Sequence, residues 1–296
     1  MHPKNNKIRS SLIVLAFALV SMTVNPWAGA QGPDGWIAFT GYDGTYWQVF
    51  VIRPDGKDLK QVTRSPDDKI HVSWSRAADQ LLVNTNRGEL TLVDVATTQE
   101  RPVDIGVRGM TDAVWSYDGQ HVLFSLSIAN SIDANDIWLV AIASGARQKL
   151  THMPHMQHDP VWTHDERGVI FLSGAGGQGH DLWHLDLKTR STTQLTVGQL
   201  YHFEPACSVN DEIAFSSNRS GDYEIWVCDM AGRSFEQITH SPGLDAQPAW
   251  SPDGRQLAFV SNRDGTPAIW VTGRKGPKPK QITPAGMICR IPAWQR

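Results

Sequence analysis

Three carboxylates in this sequence hold one place in a repeated pattern. Asp112, Asp159 and Glu204 each stand three residues ahead of a recurring anchor, Trp115, Trp162 and Cys207. His71, Gln247 and Ile291 fill the same place ahead of Trp74, Trp250 and Trp294. If the copies are related by rotation about an axis, the six side chains form a ring. Three acids meeting there could hold a hard cation such as calcium through oxygen ligands, or accept the basic side chains of a partner. Two histidines lie beside the ring, His158 four and His202 five residues ahead of their anchors. The candidate binding residues are therefore His71, Asp112, Asp159, Glu204 and Gln247. The candidate metal ligands are Asp112, Asp159, Glu204, His158 and His202. A plainer role for an acid at this place, capping the turn that enters a strand, competes with both readings.

The elements that must carry these residues follow from two spacings. Thr63, Thr151, Thr196, Thr239 and Thr283 each precede an anchor by 11 residues, and Phe50, Thr91, Trp138, Trp183, Trp226 and Trp270 each precede one by 24. The intervals between successive anchors are 41, 47, 45, 43 and 44 residues. Helical solenoids can share such a period, but each copy reads as strand, turn, strand. Gln256 to Ser261 and Ala268 to Thr272 are rich in β-branched and aromatic residues around the turn Asn262 to Gly265, with Ser251-Pro252-Asp253-Gly254 before them. Six such copies predict an all-β chain, a six-bladed β-propeller of four-stranded blades.

Ring closure is legible too. Trp36 to Thr40 reads as the second strand of a copy whose first strand is missing, while Ile291 to Trp294 repeats Gln247 to Trp250 at the other end. The C-terminal segment is expected to complete blade one, which removes an exposed sheet edge. From the second strands to the third the gaps are 11, 8, 14, 12, 11 and 11 residues, whereas the segments leading into the anchors barely vary. Both sets of loops emerge on one face, and variable loops on a rigid scaffold are where binding usually sits.

Residues 1–30 read as a cleaved secretory signal: Lys4, Lys7 and Arg9, then the apolar run Leu12 to Val20, then Ala28-Gly29-Ala30. Residues 31–296 form the propeller domain. Removing the leader takes away three positive charges and no negative ones, so the net charge passes from −3 to −6. A mildly acidic chain has no electrostatic reason to bind nucleic acid or an anionic membrane.

Pro248-Ala249-Trp250-Ser251-Pro252-Asp253-Gly254, with Leu257-Ala258-Phe259, Ser261 to Gly265, Ile269-Trp270-Val271 and Gln281-Ile282-Thr283, resembles the repeat of the TolB β-propeller family. The resemblance implies a periplasmic, non-enzymatic protein. It also implies an envelope protein bound at the channel mouth, as a peptidoglycan-associated lipoprotein is bound by the translocation protein. That protein carries an α/β domain ahead of its propeller, whereas here the propeller follows the leader directly. Oligogalacturonate lyases have similar repeats and collect His and Gln ligands at such a mouth. The competing expectation is thus a metal-dependent lyase or hydrolase acting on acidic oligosaccharides, to which His152, His155, His158, Gln199 and His202 could contribute.

Other chemistries find no support. There is no Gly-x-Ser-x-Gly elbow, and the glycines of Gly174 to Gly179 are not followed by the Lys-Ser or Lys-Thr of a phosphate loop. Cys207 on a first strand and Cys228 on a third lie two strand spacings apart, about 9.6 Å, beyond disulfide reach. Cys289 is expected in a loop between blades.

Overall fold

The structure, a computed structural model, describes residues 35–295 apart from 76, 128–134, 178, 199 and 277. The leader at 1–30, Gln199 and most of the loop after Ser127 lie outside the described residues. Six antiparallel sheets of four strands surround an axis. The inner strands are Lys69–Trp74, Thr111–Trp115, Gln157–Trp162, His202–Cys207 and Asp245–Trp250 in blades two to six. Blade one takes its inner strand from the C-terminal end: Cys289–Trp294 pairs antiparallel with Ile37–Tyr42, and Trp294 lies opposite Ile37. Cys289 therefore opens a strand, not a loop. Cys207 and Cys228 sit on strands separated by Glu212–Ser217, and all three cysteines are buried and none is joined in a disulfide.

The repeated residues explain how each blade is built. The threonine 11 residues ahead of five of the six anchors ends a blade with its hydroxyl turned inward; ahead of Trp115 the place is held by Asp104. Oγ1 of Thr63, Thr151, Thr196, Thr239 and Thr283 accepts the N–H of Val49, Ile137, Leu182, Ile225 and Ile269 over 2.8 to 3.1 Å. These are buried third-strand N–H groups that the short fourth strand leaves unpaired, and such groups need a partner. The serine or threonine after the anchors Trp74, Trp115, Trp162, Cys207 and Trp250 closes the next hairpin, as when Ser251 Oγ accepts the N–H of Gln256 at 2.9 Å.

Packing runs between blades as well as within them. Trp270, Phe259, Leu257 and Trp250 of blade six pack with Ala214, Ile225 and Val227 of blade five. Trp226 lies in the same way against Leu172 and Leu182 of blade four. Burying each large side chain contributes roughly 2 to 3 kcal/mol. The second-strand residues Phe39, Val83, Phe124, Phe171, Phe215 and Phe259 are fully buried.

Candidate functional site

Each inner strand is a sheet edge, paired on one side and facing the channel on the other. Its register slips once, so that in blades three to six and in blade one two residues oppose one on the second strand. The first of those two is the ring residue. Asp112, Asp159, Glu204, Gln247 and Ile291 have φ of 55, 50, 51, 59 and 54°, in the left-handed region. A bulge of this kind bends the strand and re-aims a side chain. Aspartate tolerates the conformation; the branched Cβ of Ile291 makes it strained there. In blade two the slip falls one residue earlier, between Lys69 and His71, and His71 keeps an extended backbone opposite Asn84.

The bulges leave channel-facing N–H groups without a ladder partner, and side chains of the preceding blade receive them. Glu204 N–H donates to Asp159 Oδ2 at 3.3 Å, Gln247 N–H to Glu204 Oε2 at 3.2 Å, and Ile291 N–H to Gln247 Oε1 at 2.7 Å. Gln247 Nε2 also donates to Glu204 Oε1 at 3.0 Å. Ser216 Oγ donates to Glu204 Oε2 at 3.2 Å while accepting Gln247 N–H at 3.0 Å. In blade three Asn84 Oδ1 takes the N–H of Ala113 at 2.8 Å. Pro160, Pro205, Pro248 and Pro292 follow four of the ring residues and bring no N–H to satisfy.

All six ring positions line one central channel of about 310 Å³. Dense packing surrounds their inner atoms while the tips reach the channel, and their protonation follows from both. Burial, then the charge of Asp159, pushes Asp112 above the usual carboxylate range. The same causes push Glu204 up to about 7. Burial also opposes ionisation of Asp159, but the hydrogen bond and charge of His158, with the N–H of Glu204, hold its carboxyl below the usual range. Burial lowers His71 despite Asp112 and Asp159, and its Nδ1 has no partner among the described residues.

His158 joins the ring. Its Nδ1 lies 3.4 Å from Asp159 Oδ2 and its Nε2 3.1 Å from His180 Nδ1. Burial would lower it, but Asp159, with Asp112 and Glu204, raises it. His202 does not join. Strand alternation turns it into blade five, 2% exposed, with Nδ1 3.0 Å from Ser217 Oγ and its ring on edge to Phe215. Burial, then the charge of Arg219, lowers it to about 4.

The five candidate metal ligands are placed as follows. Among the described residues no group of three or more His, Cys, Asp or Glu is disposed to hold an ion. Asp159 turns to His158, Glu204 turns to Gln247 and Ser216, and His202 points away. Asp112, Asp159, Glu204, His158 and His202 are thus not gathered into one donor set among the described residues.

Sequence reading missed an aromatic row beside the acids. His180 lies 4.8 Å from His158 and 5.7 Å from both Tyr201 and Phe203, centroid to centroid, and Phe203 lies 5.7 Å from Tyr223. The alternation Tyr201, His202, Phe203 was the available signal: with His202 turned inward, both aromatic residues take the opposite side. Tyr201 is 45% exposed, and Tyr42, Leu244 and Ile288 are also exposed where chain enters or leaves strands on this face.

Residues 181–296 match the family model of the TolB beta propeller domain. A TolB homologue of Chlorobium chlorochromatii is 30% identical over 139 residues, 47% of this chain and 30% of the homologue, so the chain spans under a third of that relative's length. TolB from Acinetobacter baumannii has a similar structure, with a TM-score of 0.77 at 20% identity over 88% of this chain and 66% of that one. An oligogalacturonate lyase in complex with manganese gives 0.58 at 13% identity over 85% and 74%. At these identities the two structures share a fold with this chain.

Proposed function

We propose that this TolB-like six-bladed β-propeller is a protein-binding scaffold of the cell envelope, and that its loop face takes a segment of an envelope partner at the channel mouth. The observation that carries the reading is the composition of that face: a mouth set with Asp112, Asp159 and Glu204, and the exposed apolar side chains Tyr42, Tyr201, Leu244 and Ile288 at strand ends on the same face. Apolar side chains around a polar centre suit a peptide that inserts one or two basic or polar residues and packs its flanks outside. The partner class is a peptidoglycan-associated lipoprotein, and export through cleavage of residues 1–30 places the meeting in the periplasm.

The test is calorimetric titration with the purified soluble domain of such a lipoprotein. Asp112 and Tyr201 lie outside the hydrogen-bond run from Asp159 to Ile291, so Asp112→Asn and Tyr201→Ala spare the scaffold. Each is expected to weaken binding by about tenfold, the size of an interface contact worth over 1 kcal/mol. Added salt should weaken the wild type more than Asp112→Asn. Unchanged affinity in both variants would remove the channel mouth as the site.

A further inference from the structure

A second cavity, of about 820 Å³, opens on the opposite face, among the turns that follow the inner strands and the connections from third to fourth strands of blades five, six and one. Its wall carries Arg255, Arg274, Lys275, Lys278 and Lys280 against one carboxylate, Glu212. Four of these cations fall within seven residues, Arg274 to Lys280, in a chain whose net charge is −3. Charge is thus divided between the faces, with acids at the channel mouth and bases here.

Arg274 is recessed, its side chain 13% exposed, and it is held in one orientation. Nε and Nη2 donate to Glu212 Oε1 at 3.2 and 3.0 Å, and Nη2 lies 2.8 Å from Glu236 Oε2. Nη1 is buried with no partner among the described residues. A guanidinium already fixed by two carboxylates, with one amino group unsatisfied, is a preorganised donor whose missing acceptor an oxyanion would supply. The lysines around it are available. Lys275 and Lys278 are exposed and form no ion pair within 4.0 Å among the described residues. Lys280 donates to the backbone oxygen of Asp55 at 3.4 Å and forms no ion pair within 4.0 Å among the described residues. Two further carboxylates nearby are paired elsewhere: Asp253 lies 3.8 Å from Arg255, and Asp55 pairs with Lys57 at 2.9 Å.

We propose that this cavity binds a soluble, multiply charged oxyanion of the phosphate or sulfate kind, with Arg274 at its floor and Lys275, Lys278 and Lys280 around it. The recess favours a soluble ligand over a lipid surface, because a flat array of headgroups meets the exposed lysines without reaching Arg274. The site is independent of partner binding at the channel mouth and stands or falls separately.

Inorganic pyrophosphate is the probe, titrated into the full chain by calorimetry at low ionic strength, with phosphatidylglycerol vesicles as a second arm. The expected result is saturable one-site binding, weakened about tenfold or more in Lys275→Gln/Lys278→Gln and reduced by added salt. Lys188→Gln/Arg190→Gln removes the same charge from an exposed turn of blade four and should leave it unchanged. Both pairs are exposed, so neither tests folding. An equal loss in the two double variants, an absence of saturable pyrophosphate binding, or binding to vesicles alone would each overturn the proposal.

Discussion

The backbone N–H of Ile291 donates to Oε1 of Gln247 over 2.7 Å, joining the last strand of the chain to blade six from the channel side. The same strand is hydrogen-bonded to blade one along its other edge. The ring is therefore closed by a side chain as well as by a sheet. The residue receiving that bond is itself tied to Glu204, so the channel wall from blade four to blade one is a single run of side-chain to backbone bonds.

Replacing Gln247 by leucine keeps the bulk and removes the acceptor. It leaves the N–H of Ile291 without a partner in a left-handed residue, and should lower stability by about 1 to 3 kcal/mol. Chemical denaturation checks this. A loss below about 0.5 kcal/mol, the ordinary surface range, would mean that channel water replaces the amide without cost.

Glu204 makes stability depend on pH in a direction opposite to the usual acid. Its folded value of about 7 lies above its ordinary 4.5, so between these limits the folded chain keeps a proton that the unfolded chain has lost. Stability from this group is full below the lower value, falls as pH rises, and is lost above the upper one, at about 1.4 kcal/mol per pKa unit. In Glu204→Gln that fall is absent. The unfolding free energy of the variant minus that of the wild type should climb from about pH 4.5 and level off above about pH 7; a difference independent of pH would contradict the assignment.

Thr239→Val tests the repeated threonine. Its hydroxyl accepts Ile225 N–H at 2.9 Å and donates to Glu224, whose other oxygen takes Ser241 N–H at 2.8 Å. Valine fills the same space with no oxygen, so a buried N–H and a carboxylate both lose a partner. The expected loss is about 1 to 3 kcal/mol, read as a shift in the urea midpoint with an unchanged slope.

Deleting Arg290 to Arg296 should weaken the whole ring. Trp294 is 4% exposed and packs with Ile37, Phe39, Phe50 and Ile52 of blade one and with Ala258, Val260 and Ile269 of blade six. Trp294→Ala alone should cost about 3 to 5 kcal/mol. A truncated chain that melted cooperatively at the wild-type temperature would show that the strand is dispensable.

The number of blades, the strand that closes the ring, the face carrying variable loops and the convergence of His71, Asp112, Asp159, Glu204, Gln247 and Ile291 were all legible in the sequence, because a fixed period leaves rotation about one axis as the simple way to bury every blade. The sequence also carried the reason for the terminal threonines without disclosing it, since a hydroxyl 14 residues from the N–H it caps becomes a neighbour only once the sheet has formed. What the tertiary structure alone decided is where each ring side chain turns. The left-handed bulge aims Asp159 at His158 and the Glu204 amide, the register slip in blade two leaves His71 extended, and strand alternation sends His202 inward while Tyr201 and Phe203 pack against His180. Five residues that looked like one ligand set were separated in this way, because spacing along a chain fixes distance from an axis, whereas the direction of a side chain is set by backbone torsions and by the hydrogen-bond partners that adjacent blades supply.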